Sequence, residues 1–174
     1  MLVLASRSPQ RRAILEQLGI EFEVVVPEVE ELEEGDPREM VVENALRKAR
    51  AVEGDRVLGV DTTVVVDGRS YGKPANDEEA EATLTLLSGR SHEVWSGIAL
   101  NEETASACTT VTFRALDQPL LRWYLDTKEW RDRAGGYAIQ GKGAALVERV
   151  EGDFWNVVGL PVPELLKLAP DLLA

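Results

Sequence analysis

Short continuous apolar runs alternate along this chain with helix-spaced apolar stripes. Leu2 to Ala5 is an apolar run of strand length. Ser8-Pro9 then supplies a helix start, with serine as N-cap and proline at the first helical position. Ile14, Leu15 and Leu18 mark the inner face of that helix, and Gly19 its stop. Phe22 to Val26 predicts a second strand, and the acidic stretch Glu28 to Asp36 an exposed loop. Asp36-Pro37-Arg38-Glu39 is a capping box opening a helix to about Val52. Arg56 to Asp67 is the most apolar strand, and Asp67-Gly68 turns it back into Arg69 to Tyr71. Asn76 to Leu87 is a helix closed by Ser88-Gly89. Strands His92 to Asn101 and Ala105 to Leu116 are joined by a polar turn. A helix from Pro119 to Asp126, a glycine-rich segment from Gly135 to Gly143, a strand from Ala144 to Val150 and a helix from Val162 to Leu168 complete the pattern.

Strands and helices alternate, but hairpins interrupt the alternation. That combination predicts an α/β fold with a mixed sheet and flanking helices. The 174 residues fit a single domain, 1–174, with or without two lobes. No linker rich in Gly, Pro or Ser divides them. The single cysteine, Cys108, excludes an internal disulfide and fits a reducing compartment. The first apolar run is too short for a signal peptide, and no stretch approaches the ~20 apolar residues of a membrane span. The expected location is therefore the cytoplasm, with no membrane partner.

The net charge of −12 argues against nucleic acid as a partner, because a polymer of phosphates needs a broad basic face. A small anion needs only a local cluster of cations, and some charges in this chain stand where structure alone gives no reason for them. Arg7, Arg11 and Arg12 crowd the start of the first helix, where the helix dipole is already positive. An anion at the helix N-terminus accounts for them, as does a solvent-facing or acid-paired arrangement. Asp61 interrupts the apolar strand. It requires either a cation partner or a position where the strand opens onto a cleft. Lys48 falls on the helical line of Val41, Ala45 and Val52, either reaching a phosphate or snorkelling to water. Lys73 is held in the rigid Gly72-Lys73-Pro74. Glu30 and Glu31 end an approach that could bring a carboxylate beside Asp61, as two hard oxygen ligands for a divalent ion. His92, Cys108 and the four tryptophans read as packing residues, with Cys108 a buried, inert thiol.

Several segments carry these residues: Leu4-Ala5-Ser6-Arg7-Ser8-Pro9-Gln10-Arg11-Arg12, Glu28-Val29-Glu30-Glu31, Lys48-Ala49, Gly59-Val60-Asp61-Thr62 and Gly72-Lys73-Pro74. Further along are Leu87-Ser88-Gly89-Arg90-Ser91-His92, Ala134-Gly135-Gly136-Tyr137-Ala138-Ile139-Gln140-Gly141 and Val158-Gly159-Leu160-Pro161. Taken in order, they resemble the Maf family over nearly the whole chain. The resemblance implies an elongated, two-lobed fold similar to the inosine-triphosphate pyrophosphatases, with a mixed twisted sheet and a central cleft. It implies that Ser6, Arg11, Lys48 and Lys73 hold a triphosphate, with Arg12 beside them in the same motif. Glu31 and Asp61 would bind Mg2+ or Mn2+ and manage the attacking water, with Asp61 as proton acceptor. Thr62 and Gln140 resemble the subgroup acting on dTTP and UTP rather than on 7-methyl-GTP. Gln10 departs from that subgroup, which usually has arginine there, and so bears on base preference.

The resemblance thus implies a cytoplasmic pyrophosphatase that converts a nucleoside triphosphate to a monophosphate and pyrophosphate, with a homodimer as the family's suggestion. Because the family is associated with cell-division arrest, a non-enzymatic nucleotide-binding regulator is one alternative. A pyrophosphatase for non-canonical purine nucleotides is another.

Overall fold

The computed structural model describes residues 1–174. Seven strands form one mixed sheet: β1 (Leu2–Ala5), β2 (Phe22–Val25), β3 (Arg56–Val66), β4 (Arg69–Tyr71), β5 (Ser91–Leu100), β6 (Glu103–Phe113) and β7 (Val147–Glu151). The order is β2-β1-β3-β5-β6-β7, with β4 hydrogen-bonded to the far end of β3. β1 lies parallel to β2 and β3, and the remaining pairs are antiparallel. The expected α/β mixed sheet with flanking helices is what forms. No helix is long and apolar enough to cross a membrane.

One detail of register makes the site. β1 stops at Ala5, opposite Gly59, and β4 begins pairing with Tyr71 opposite Val64. Both lie on the same edge of β3, so Val60 to Thr63 have no strand beside them there. The backbone opens at Asp61. The chain leaving β1 and the chain leaving β4 both run toward this gap.

The sheet's two faces are packed differently. Leu4, Leu58, Val60, Val64 and Ile98 belong to the main core, covered by α1 (Pro9–Gln17), α3 (Asp77–Leu87), α4 (Gln118–Asp126) and α6 (Val162–Leu168). Val3, Ala5, Val57 and Ala99 form a smaller cluster with Ala45 and Ala49 of α2 (Pro37–Arg50). That cluster is small because the helix sits almost on the sheet backbone. A methyl group at Gly59 would lie 2.8 Å from the Ala49 nitrogen and closer still to the Ala45 carbonyl. One at Gly97 would lie 2.5 Å from the Val42 nitrogen. Alternation along β3 places Asp61 on this same face, under α2.

The helix starts form as their sequences dictate. Ser8, Asp36, Asn76 and Asp117 each accept a bond from the third residue onward, and Gly19 takes φ +70° after α1. Some expectations need correction. Ala144 to Leu146 belong to a 3-10 turn, so the last strand begins at Val147. The short helix α5 (Phe154–Val158), capped by Asp153, has too few residues to show a period in the sequence. Cys108 is exposed rather than buried, because it lies on the outward side of β6. Partial burial of its sulfur and the Glu93 carboxylate, to which the thiol donates at 3.3 Å, push its pKa up to about 12, so little thiolate forms near neutral pH. Among the tryptophans only Trp130 is fully packed, and Trp123 and Trp155 face solvent.

Candidate active site

Asp61 is 9% exposed and held from two sides by α2. Lys48 Nζ lies 3.1 Å from its Oδ1, and Asn44 Nδ2 donates to its Oδ2 at 2.9 Å. The same ammonium bonds the Val60 carbonyl at 3.2 Å and lies 3.2 Å from Glu31 Oε2. Lys48 therefore sits between the two carboxylates, and its charge makes their close approach tolerable. Asn44 joins the same construction. Its Oδ1 accepts from the Leu32 amide at 2.7 Å and its Nδ2 donates to the Leu32 carbonyl at 3.0 Å. The acidic loop is thereby fixed one residue beyond Glu31. Arg47 fixes it one residue before, donating to the Glu30 carbonyl at 2.8 Å.

From the opposite face comes Arg11. Its three nitrogens donate to neutral oxygens: Gly159 O at 2.8 Å, Ser6 Oγ at 3.1 Å and Thr62 Oγ1 at 3.1 Å. The guanidinium is buried yet has no direct ionic partner. Burial lowers its pKa, and the fields of Asp61 and Glu31 partly restore it. A buried cation bonded only to neutral groups is an unbalanced charge, of the kind an anionic ligand would stabilise. Ser6 supports Arg11 and also accepts from the Ser8 amide at 3.1 Å. Thr62 is held in turn by Ser96, with hydroxyls 2.8 Å apart. Gln10, 6% exposed, accepts from Ser8 Oγ at 2.6 Å, and its buried Nε2 has no partner. That nitrogen is a free donor on the cleft wall.

Lys73 leaves β4 toward the gap and stands at the rim. Partial burial and the nearby charges of Arg11 and Lys48 lower its pKa, against the opposing pull of Asp132 and Glu31. Its loop is tied to the glycine-rich segment: Gly135 N donates to Gly72 O at 3.1 Å. Gly135 takes φ +69°, and a methyl group there would lie 2.6 Å from Val64 Cγ2. This turn therefore requires glycine.

The resulting cleft holds about 650 Å³ of free space, open to solvent. Gln10, Arg11, Glu31, Lys48, Asp61, Thr62, Lys73 and Gln140 all line it. Ser6 stands behind Arg11. Arg12 is not brought there: it points outward and pairs with Glu16 at 2.9 Å, because its position on α1 is turned away from the sheet. Sequence reasoning missed Asn44, which bonds Asp61, and the lining residues Arg133, Tyr137 and the α5 end at Val157 to Gly159. Asn44 had a signal, being polar on the inward helical line one turn before Lys48. Tyr137, Val158 and Gly159 lie within the segments that carry the Maf resemblance, whereas Arg133 and Val157 had no signal.

The family model described as Maf-like protein matches residues 1–172. The chain belongs to the Maf family. A curated relative from Symbiobacterium thermophilum is 49% identical over 96% of this chain and 91% of its own length. One from Thermococcus gammatolerans is 47% identical over 97% and 95%, and one from Bacillus cereus strain G9842 is 43% identical over 95% and 92%. Each bears the name dTTP/UTP pyrophosphatase.

Divalent ions are what the Maf resemblance implies, and the donor set can be tested for fit. No cluster of three or more His, Cys, Asp or Glu residues is present. The cleft offers two carboxylates, Glu31 and Asp61, in contact with one ammonium. Hard oxygen donors in that number suit Mg2+ or Mn2+ shared with substrate phosphates, not a cage complete by itself. Charge agrees. The lining has four cations (Arg11, Lys48, Lys73 and Arg133) against three carboxylates (Glu31, Asp61 and Asp132). That small positive excess does not balance a triphosphate alone.

Proposed function

We propose that this Maf protein is a nucleoside triphosphate pyrophosphatase that hydrolyses dTTP and UTP to the monophosphate and pyrophosphate. The observation carrying the reading is the gap beside β3. There, in a protein of net charge −12, Arg11, Lys48 and Lys73 converge with Glu31 and Asp61 from both sheet faces and a loop. The names of the relatives point to the same chemistry.

In this reading the triphosphate lies along the cleft, its oxygens meeting Arg11, Lys73 and the Gln10 amide. Asp61, oriented by Lys48 and Asn44, takes a proton from a water that attacks the α-phosphorus. The bond from that phosphorus to the β-phosphate oxygen breaks, and pyrophosphate leaves with the electron pair. Lys73 and Arg11 offset the charge that builds on the leaving group. Glu31 and Asp61 would hold Mg2+ or Mn2+, whose role there is to neutralise phosphate charge and acidify bound water. Thr62 keeps Arg11 in place, and Gln140 stands at the base end with an amide that both donates and accepts.

The test is pyrophosphate release from a panel of nucleoside triphosphates with Mg2+ or Mn2+ added. Purified protein should favour dTTP and UTP, and Asp61→Asn should lower turnover by about 10²-fold or more with an unchanged melting temperature. An Asp61→Asn protein as active as the parent would remove Asp61 from the reaction. A parent that cleaves none of the panel would remove the activity.

A further inference from the structure

The turn that carries Gln140 is built around one carboxylate standing behind the cleft wall. Glu129 follows α4 and reaches forward along the chain. Its Oε2 accepts from Lys142 N at 3.0 Å, and its Oε1 accepts from Gly143 N at 2.9 Å. Tyr124 Oη donates to the same Oε1 at 3.2 Å and itself accepts from Ala138 N at 2.9 Å. Both ends of the segment Ala138 to Gly143 are therefore tied to one pair of side chains. Between them the chain closes on itself, with Gly141 N donating to Ala138 O at 3.1 Å. The hollow of this turn admits only glycine. A methyl group at Gly141 would lie 2.6 Å from Glu129 Oε2, and one at Gly143 would run into Ala138 O. Glu129 is anchored from behind as well: its N donates to Thr127 Oγ1 at 3.1 Å, and that hydroxyl donates to Tyr124 O at 2.6 Å.

All three donors to Glu129 are neutral, and none of the chain's ion pairs includes it. Its carboxylate is engaged with the backbone of the turn. Within Ala138 to Gly143, Gln140 alone lines the cleft, while Ala138 and Ile139 before it are buried. Gln140 is exposed, so the backbone of the turn, not packing, aims its amide. Capping the first amides of the 3-10 turn Lys142–Leu146 would by itself give Glu129 a use. The Tyr124 arm goes further, because it ties the same carboxylate to Ala138, on the other side of Gln140.

We propose that Glu129 is a positioning residue for Gln140, fixing the turn on both sides and so setting where the Gln140 amide meets the nucleobase. This role rests on the pyrophosphatase reading above. An amide reads a base edge only at hydrogen-bonding distance, so a shift of about 1 Å in the turn is felt in turnover of the nucleotide. Glu129→Gln is the sharp perturbation. It keeps the size of the side chain but supplies one acceptor oxygen where two are in use. Its amide also turns an N–H toward a backbone N–H, leaving a donor without an acceptor.

The parent, Glu129→Gln, Gln140→Ala and the double variant form a cycle, read as kcat/KM for UTP. Calorimetric melting establishes that each protein is folded at the assay temperature. Each single variant should lose roughly tenfold. The double variant should lose no more than about twofold beyond Gln140→Ala, because without the amide there is nothing left to position. A cap, or a support acting through the Lys73 loop, would instead multiply the two losses to about a hundredfold, and that result overturns the proposal. So would parental kcat/KM in either single variant. If Glu129→Gln does not fold, Tyr124→Phe takes its place in the cycle, since it removes both phenol bonds and keeps the ring. If the parent cleaves no nucleotide, the activity reading fails separately, and the cycle is run on the calorimetric Kd for UMP. Non-additive losses then support the role of Glu129, and additive losses or no binding overturn it.

Discussion

Replacing Gly59 by alanine tests whether the close seat of α2 on the sheet creates the site. The added methyl would lie 2.8 Å from Ala49 N and deeper still within the radius of Ala45 O. Both contacts are helix backbone, so no side chain can rotate aside. The helix must retreat by on the order of 1 Å, an overpacking that costs about 1–3 kcal/mol. For a chain of this size that is a fall in Tm of roughly 3–10 °C. The retreat also lengthens the 3.1 Å contact of Lys48 with Asp61 and the 2.9 Å contact of Asn44 with Asp61 beyond hydrogen-bonding reach. Misplacement of that size costs about 10²-fold in rate. Gly68→Ala is the control: its φ is +74° with nothing within 4 Å, so it carries only left-handed strain of about 1–2 kcal/mol and no effect on the cleft. Calorimetric melting and kcat/KM for dTTP should therefore separate the two variants, with both falling in Gly59→Ala and only stability in Gly68→Ala. A Gly59→Ala protein with parental turnover would refute the reasoning.

Lys73 should set an alkaline limit. Because burial and the charges of Arg11 and Lys48 lower its pKa, free enzyme loses that proton below the ordinary lysine value of 10.5. The kcat/KM profile should then fall at high pH, and Lys73→Arg, which stays protonated, should move the fall upward. A limb unmoved by Lys73→Arg contradicts this. His92, buried against Phe113 and bonded through Nε2 to Tyr137 Oη at 2.7 Å, has its pKa lowered by burial to about 4. The unfolded chain binds this proton near pH 6.5, so the stability is intact above that value and is lost as pH falls toward 4. Between pH 7 and 4.5 the loss from this group is about 2 kcal/mol, and denaturant unfolding of His92→Gln should lack it.

Much of the fold follows from local signals. The strand β3, the capped starts at Ser8 and Asp36, and the hairpin at Asp67-Gly68 need only periodicity and turn chemistry. The candidate site was legible where a charge sat on an apolar line, as with Asp61 and Lys48. Arg12 shows the limit. It adjoins Arg11, and only the rotation of α1 against the sheet decides that one is buried and the other pairs with Glu16. Arg133 and Gly159 come from segments with no period, and tertiary packing alone carries them to the cleft. The gap at Val60 to Thr63 is likewise a matter of where β1 ends and β4 begins, which no single segment encodes.

In the proposed reaction water attacks the α-phosphorus of a triphosphate lying in this cleft. Hydrolysis of dTTP in 18O-enriched water, with the products resolved by mass spectrometry, tests it most directly. One labelled oxygen should appear in dTMP and none in pyrophosphate. Label in pyrophosphate, or in orthophosphate released in its place, would contradict the claim.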